Sequence, residues 1–186
     1  MVLTFRGGLH VHDGKELTKD KPSKEAPVPE LVTVPLVQHI GAPLTPLVKK
    51  RAVVRMGEPL GEMRGPVSAV IHAPVSGKVK EVEGVALASS GKVAAVTIAN
   101  DGEDTPYDGF GVDTDPDTLS PEEMIERVRN AGIVGLGGAT FPSHVKLAPP
   151  KEKPIATVIV HGAEGEPLLT CDYRLMMETP AAMTRG

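Results

Sequence analysis

The chain has 186 residues, 40% of them hydrophobic, with 20 Lys+Arg against 24 Asp+Glu for a formal net charge of −4. That balance excludes a polycation built to grip phosphate backbones, and the apolar fraction excludes a generally disordered chain. The 20 Gly and 18 Pro beside no Trp, two Tyr and three Phe exclude a long helical bundle and point to short strands joined by structured turns.

Residues 1–30 read as an extended amino-terminal arm. Gly7-Gly8 and Asp13-Gly14 are turn signals, Pro22, Pro27 and Pro29 stand among charged residues, and such a segment is expected to wrap over something rather than fold alone. Nothing at the amino terminus has the apolar stretch of a signal peptide, and no window approaches ~18 uninterrupted apolar residues. The expectation is a cytoplasmic protein, able to dock peripherally on a membrane complex.

Residues 31–117 read as a compact β-module. The runs Leu31-Val-Thr-Val, Ala52-Val-Val-Arg, Val67-Ser-Ala-Val-Ile-His and Val93-Ala-Ala-Val-Thr-Ile are short, apolar and bounded by Gly or Pro. Two stretches look like half-repeats, Val48-Lys-Lys-Arg-Ala-Val-Val-Arg-Met-Gly-Glu-Pro-Leu-Gly-Glu62 and His72-Ala-Pro-Val-Ser-Gly-Lys-Val-Lys-Glu-Val82. This resembles the barrel-sandwich fold of lipoyl and biotinyl carrier domains. A working carrier has an acylated lysine at the hairpin tip joining the halves, whereas the linker here, Arg64-Gly-Pro-Val-Ser68, has none. A structural barrel is therefore expected. Charge is uneven along the chain: residues 31–80 hold seven basic and two acidic residues, a local +5, and residues 81–130 hold three basic and twelve acidic, a local −9. Differently solvated faces account for this, with an acidic docking surface as the alternative.

Residues 118–186 read as a second, α/β unit. Ser120 is a good N-cap, Pro121 suits the first helical position, and Glu122 and Glu123 complement the positive helix end. Met124, Ile125 and Val128 recur at helical spacing, and Gly132 ends the helix. Beyond a glycine-rich loop, Ala156-Thr-Val-Ile-Val-His161 is consistent with a buried strand, and Leu168 to Met177 with the start of another helix. The expected fold class is α+β, a barrel-sandwich β-module followed by the first part of an α/β domain.

Chemistry is concentrated in two segments. In the first, Gly132, Gly135, Gly137 and Gly138 lack the Cβ that would keep an anion from backbone N–H groups, and Lys146 follows within reach to add a full charge. Pro142 can begin a short helix with Thr140 or Phe141 near its cap. A helix rather than a strand precedes the glycines, so the dinucleotide fingerprint fails its context, and no Gly-Lys-Ser/Thr makes a P-loop. The pattern suits a phosphomonoester; a glycine-rich packing turn with a surface lysine is the alternative. In the second segment, His161-Gly-Ala-Glu-Gly-Glu-Pro167, two carboxylates beside glycines can accept from ribose hydroxyls or an amide; the alternative is a solvated acidic turn.

Together, Gly135-Leu-Gly-Gly-Ala-Thr-Phe-Pro-Ser-His-Val-Lys146 and Gly162-Ala-Glu-Gly-Glu-Pro-Leu-Leu-Thr-Cys-Asp-Tyr-Arg-Leu-Met176 resemble the C subunit of Rnf-type ion-translocating ferredoxin:NAD oxidoreductases. Gly7-Gly-Leu-His10, Gly14-Lys-Glu-Leu-Thr18 and Gln38-His-Ile-Gly-Ala-Pro43 match the same family. A more distant likeness is to the FMN- and NADH-binding subunit of respiratory complex I. The resemblance implies noncovalent FMN, its phosphate and ribityl chain cradled by Gly135, Gly137, Gly138 and Lys146, with His161 against the flavin. It implies that Phe141 stacks on NADH and that Glu164 and Glu166 contact NADH or flavin. Hydride would pass from NADH to flavin N5 and single electrons on to iron–sulfur centres. With one cysteine, Cys171, the chain cannot build a four-thiolate cluster, and the family's 4Fe-4S clusters belong to a carboxyl-terminal region beyond Gly186. The implied partners are NADH/NAD and the other subunits of a membrane electron-transport complex, with no nucleic acid.

Two positions depart from the family, His161 where Asn is usual and Gly165 in place of Cys. Ala139-Thr140 is similar to sequences that bond FMN to Thr, but those belong to other subunits of the complex. His10 and His12 alternate like ligands on a strand without a third, so no metal site is expected. Met176 and Met177 read as packing, and Cys171 as an ordinary thiol. The alternative function is a non-catalytic docking fragment of the same complex that binds no flavin.

Overall fold

The computed structural model describes residue 7, residues 12–87 and residues 91–185. The chain forms two compact units, Val28–Pro154 and a second made of Met1–Pro27 with Ile155–Gly186.

The larger unit is built on a four-stranded antiparallel sheet and a two-stranded ribbon. Strand β1 (Leu31–Pro35) pairs with β6 (Gly91–Asn100), β6 with β5 (Gly77–Leu87), and β5 with β3 (Val53–Val54). The ribbon joins β2 (Thr45–Pro46) to β4 (Gly61–Glu62). Alternation sets which face is covered: Val34, Val54, Val79, Val96 and Ile98 turn inward and meet Leu36, Leu44, Leu60 and Ile71 in one apolar cluster. Each such side chain removed from water stabilises the fold by roughly 1.5–3 kcal/mol, which is how a module with two- to five-residue strands beside one long hairpin holds together. A register shift between Val79 and Glu81 lets β5 change pairing there.

The fold class is as the sequence indicates, a barrel-sandwich module followed by helical elements, and Arg64–Ser68 at the junction of the half-repeats is an irregular bend. One expected strand, Val67–His72, is not one: it pairs only through the isolated bridge between His72 and Pro59. That bridge uses the Ile71 carbonyl, which accepts from Leu60 N at 2.8 Å, while the Val70 carbonyl lies against Gly132.

Helix α1 (Pro121–Asn130) is closed at its start by a reciprocal capping box. Glu123 N–H donates to Ser120 Oγ at 3.3 Å, and Ser120 N–H donates to Glu123 Oε2 at 2.8 Å. The Ser120 N–H and hydroxyl hold the Glu123 carboxyl below its ordinary range. At the other end, Gly132 at φ +69 turns the chain, its N–H donating to Arg129 at 3.1 Å. Helix α2 (Ser143–Lys146) follows the glycine loop.

In the smaller unit, the arm wraps α3 (Cys171–Glu178), which continues into α4 (Pro180–Arg185). Leu168 N–H donates to Asp13 O at 2.6 Å, Thr170 Oγ1 to Thr18 Oγ1 at 2.9 Å, and Arg174 Nη1 to Lys19 O at 3.1 Å. Glu178 accepts from Ser23 N–H at 3.0 Å and pairs with Arg174, which together pull its carboxyl down to about 2.

The expected buried strand at 156–161 is the main correction. Residues 154–165 carry no strand assignment, and Val158, Ile159 and Val160 are 83–85% exposed. β-branched composition favours an extended chain, but among the described residues no neighbour offers a ladder to complete it.

Candidate functional site

Gly135, Gly137, Gly138, Phe141 and Lys146 lie in the Val28–Pro154 unit, and His161, Glu164 and Glu166 in the other.

The glycine loop is a closed turn with an antiparallel neck. Val134 and Pro142 form an isolated bridge, Gly135 N–H donates to Phe141 O at 2.9 Å, and Ser143 N–H donates to Ile133 O at 2.9 Å. That neck brings Gly135, Phe141 and Lys146 together. Lys146 Nζ stands 6.0 Å from the Phe141 ring centroid, and a Cβ added to Gly135 would come within 2.5 Å of that nitrogen. Gly137 and Gly138 occupy the tip, with open space where a Cβ would stand and φ +99 at Gly138. The cap of α2 is Pro142 rather than Thr140 or Phe141, because Thr140 sits at φ +47 and Phe141 belongs to the neck. At four residues, α2 adds little dipole field. What the loop offers an anion is the backbone N–H groups of the tip and the exposed Lys146. An open glycine tip with a flexible ammonium at its base fits a phosphate-bearing flavin.

In the second segment the two carboxylates differ. Glu164 reaches the start of α3, where Thr170 supplies no side-chain cap. It accepts from Cys171 Sγ at 2.9 Å, Asp172 N–H at 3.1 Å and Tyr173 N–H at 3.4 Å. The Cys171 thiol and these N–H groups hold the Glu164 carboxyl below its ordinary range, and Glu164 in turn pushes the thiol up. Lys15 Nζ ties this stretch to the arm, donating to Glu164 O at 2.5 Å and to Leu169 O at 2.9 Å. A hollow of about 340 Å³ adjoins, lined by Lys15, Lys19, Gly162, Glu164, Thr170 and Tyr173 among others. Glu166 and His161 are exposed.

Glu164, Cys171 and Asp172 bring ligand-type atoms within 4.8 Å of one another, but the Glu164 carboxylate is already occupied by its three donors. His10 falls outside the described residues, and His12 faces Glu16 at 3.4 Å in the open.

Sequence reasoning missed three features of the larger unit. His39 is 6% exposed, with its Nε2 unpartnered among the described residues. His72 is pushed below its ordinary value by burial, against the raising effect of the Asn130 carbonyl. Thr140 adopts a left-handed backbone. His39 sits in the Gln38–Pro43 motif, so a signal existed there, whereas the other two depend on tertiary neighbours.

Comparison with known proteins gives two family matches. Residues 3–103 match the RnfC barrel sandwich hybrid domain, and residues 128–186 match the Nuo51 FMN-binding domain. The chain is 44% identical over 186 residues to the C subunit of the proton-translocating ferredoxin:NAD(+) oxidoreductase complex of Clostridium ljungdahlii, covering 100% of this chain and 41% of that protein. It is 46% identical over 189 residues to the C subunit of the Na(+)-translocating ferredoxin:NAD(+) oxidoreductase complex of Acetobacterium woodii, covering 98% and 41%. With the C subunit of the ion-translocating oxidoreductase complex of Rhodobacter capsulatus it shares 44% over 185 residues, covering 98% and 36%. The chain thus spans about two fifths of the length of these relatives. No helix among the described residues is long and apolar enough to cross a membrane.

Proposed function

The chain belongs to the RnfC family, and from that premise we propose that it forms the amino-terminal part of an electron-input subunit, which exchanges electrons between NADH and FMN and serves iron–sulfur centres of an ion-translocating membrane complex. The observation that carries this reading is the glycine loop, whose open tip at Gly137 and Gly138 and basal Lys146 lie within the stretch similar to an FMN-binding domain. FMN, when bound, accepts a hydride and returns electrons one at a time.

The chain's own residues bind and orient. Gly137 and Gly138 leave backbone N–H groups open to a phosphate, Gly135, whose own N–H is held by Phe141 O, gives room at the base of the tip, and Lys146 beside it would add a charge-assisted hydrogen bond. His161 would contact the flavin. Phe141, held by the neck, offers a ring face to the nicotinamide dinucleotide. Glu166 is the exposed carboxylate available to NADH, whereas Glu164, which holds the start of α3, would meet NADH or flavin only with the acceptor capacity those contacts leave. In functional terms the arm is 1–30, the barrel 31–117 and the nucleotide portion 118–186. The iron–sulfur clusters lie on sequence outside this chain, since Cys171 is its single cysteine. The subunit sits on the cytoplasmic side, attached peripherally through partner subunits.

The test is the visible spectrum of a purified full-length RnfC carrying this sequence. Flavin bands that bleach on anaerobic addition of NADH are expected. A colourless protein with an intact fold would instead favour a docking fragment that binds no flavin.

A further inference from the structure

The two ends of the glycine loop are seated on the β-module, and its middle is free. At the start, Gly132 lies so close to the Val70 carbonyl that no Cβ fits between them. At the far end, the Thr140 carbonyl accepts Ile40 N–H at 3.4 Å. Thr140 itself holds φ +47, a conformation that a β-branched residue keeps only where its surroundings impose it. Between these anchors, Gly137 and Gly138 meet none of the described residues where a Cβ would stand.

Ile40 is fixed from both sides. Its carbonyl takes a hydrogen bond from His39 Nδ1 at 3.1 Å, and because a carbonyl only accepts, Nδ1 is the donor in this contact. On the other side, Gly41 at φ +113 presses on the Val67 carbonyl, where a side chain would clash. Among the described residues His39 Nε2 has no partner, although the residue is 6% exposed. An apolar side chain of similar size would fill this volume without a buried unpaired nitrogen, so filling space is not what the imidazole supplies. His39, Val70, Gly132 and Thr140 also line one cavity of about 720 Å³, so the module touches the loop at discrete points rather than through a continuous packed face.

We infer that Gln38–Gly41 is the positioning element of the glycine loop, with His39 as its key residue. The imidazole orients Ile40, Ile40 holds Thr140, and Thr140 fixes the end of the loop from which Phe141 and Lys146 project. The barrel, without a carrier lysine, thereby has a task of its own, to preset the loop's backbone. His39 is a positioning residue. Its mechanical role stands on the contacts above, and its effect on flavin rests on the reading of the loop as the FMN phosphate seat.

The experiment compares His39→Leu, which keeps bulk and removes both nitrogens, with His39→Asn, which restores a donor near the Nδ1 position. Hydrogen exchange on the whole chain is expected to show the Gly135 and Ser143 amides exchanging at least tenfold faster in His39→Leu. Protection of β5 and β6 should be unchanged, and His39→Asn should bring the loop back toward the parent. Unchanged loop exchange, loss spread evenly through the barrel, or failure of both variants to fold would overturn the inference by making His39 an ordinary core residue. In full-length protein the same His39→Leu change should weaken FMN binding about tenfold. Faster loop exchange with unaltered FMN affinity would leave the positioning role standing and remove the loop from the flavin site.

Discussion

Gly135 and Lys146 compete for one position: the place a Cβ would take on Gly135 lies 2.5 Å from the Lys146 ammonium nitrogen. Gly135 is not among the glycines with positive φ, so alanine suits its backbone, and only the flexible end of a lysine must give way. Gly135→Ala should therefore leave thermal stability within about 0.5 kcal/mol of the parent. FMN affinity in full-length protein should still fall roughly tenfold, about 1.4 kcal/mol, as the tip narrows and the lysine moves. Calorimetric unfolding and a flavin fluorescence titration read the two effects separately; a large stability loss without a change in affinity would show that the glycine serves packing.

Glu166 has a different expected signature from the loop. As an exposed carboxylate with no part in capping α3, it can be removed without disturbing that helix. Glu166→Ala should raise the KM for NADH while bound FMN remains near the parent level. Lost flavin with a normal NADH response would move the residue to the cofactor.

Glu164 ties the Cys171 thiol to the start of α3. Its carboxylate raises the Cys171 thiol and accepts two N–H groups at the start of α3. Glu164→Ala should bring that thiol back down toward its ordinary value and speed its alkylation at pH 8, with faster amide exchange at Asp172 and Tyr173. Equal alkylation rates would mean that the Sγ contact does not persist in solution.

Glu178 makes the wrap of the arm pH-dependent. Arg174 and Ser23 depress its carboxyl from an ordinary value of 4.5 to about 2, so the stabilisation is fully present above about 4.5 and is lost as pH falls through about 2. Glu178→Gln should loosen residues 15–23 at pH 6 in hydrogen exchange, with a difference that shrinks toward nothing as pH falls through about 2. A difference that persists at the acid end would exclude the ionised carboxylate as the cause.

The elements readable from sequence were those whose signals are local. The α1 helix was legible because Ser120, Pro121 and the Met124, Ile125, Val128 spacing act within one helix. The module was legible because its half-repeats and glycine-bounded apolar runs reflect strand periodicity. What stayed hidden depends on partners distant in sequence. The β-branched run Thr157-Val-Ile-Val160 cannot report whether a neighbouring strand exists, and none is present among the described residues. Nor does the spacing of Glu164 and Glu166 tell which one caps a helix seven residues further on. The left-handed Thr140 and the orphaned His39 nitrogen arise only once the loop meets the barrel.

The exposure of Val158, Ile159 and Val160 carries its own expectation. The 186-residue chain by itself should exchange amides of 155–161 far faster than those of β5 and β6, and should bind FMN weakly. Stoichiometric FMN in the purified chain, or strong protection of that segment, would mean that these residues complete a flavin-binding unit unaided.

The most direct test of the glycine loop as an FMN phosphate seat is a parallel titration of FMN and riboflavin, which differ by the phosphate alone, into full-length parent and Lys146→Glu proteins. A cation replaced by an anion at a phosphate should cost roughly 1.5–3 kcal/mol, about 10- to 100-fold in affinity. That loss is expected for FMN, with riboflavin nearly unaffected. Equal FMN affinity in the two proteins, or an equal loss for both flavins, would contradict the assignment.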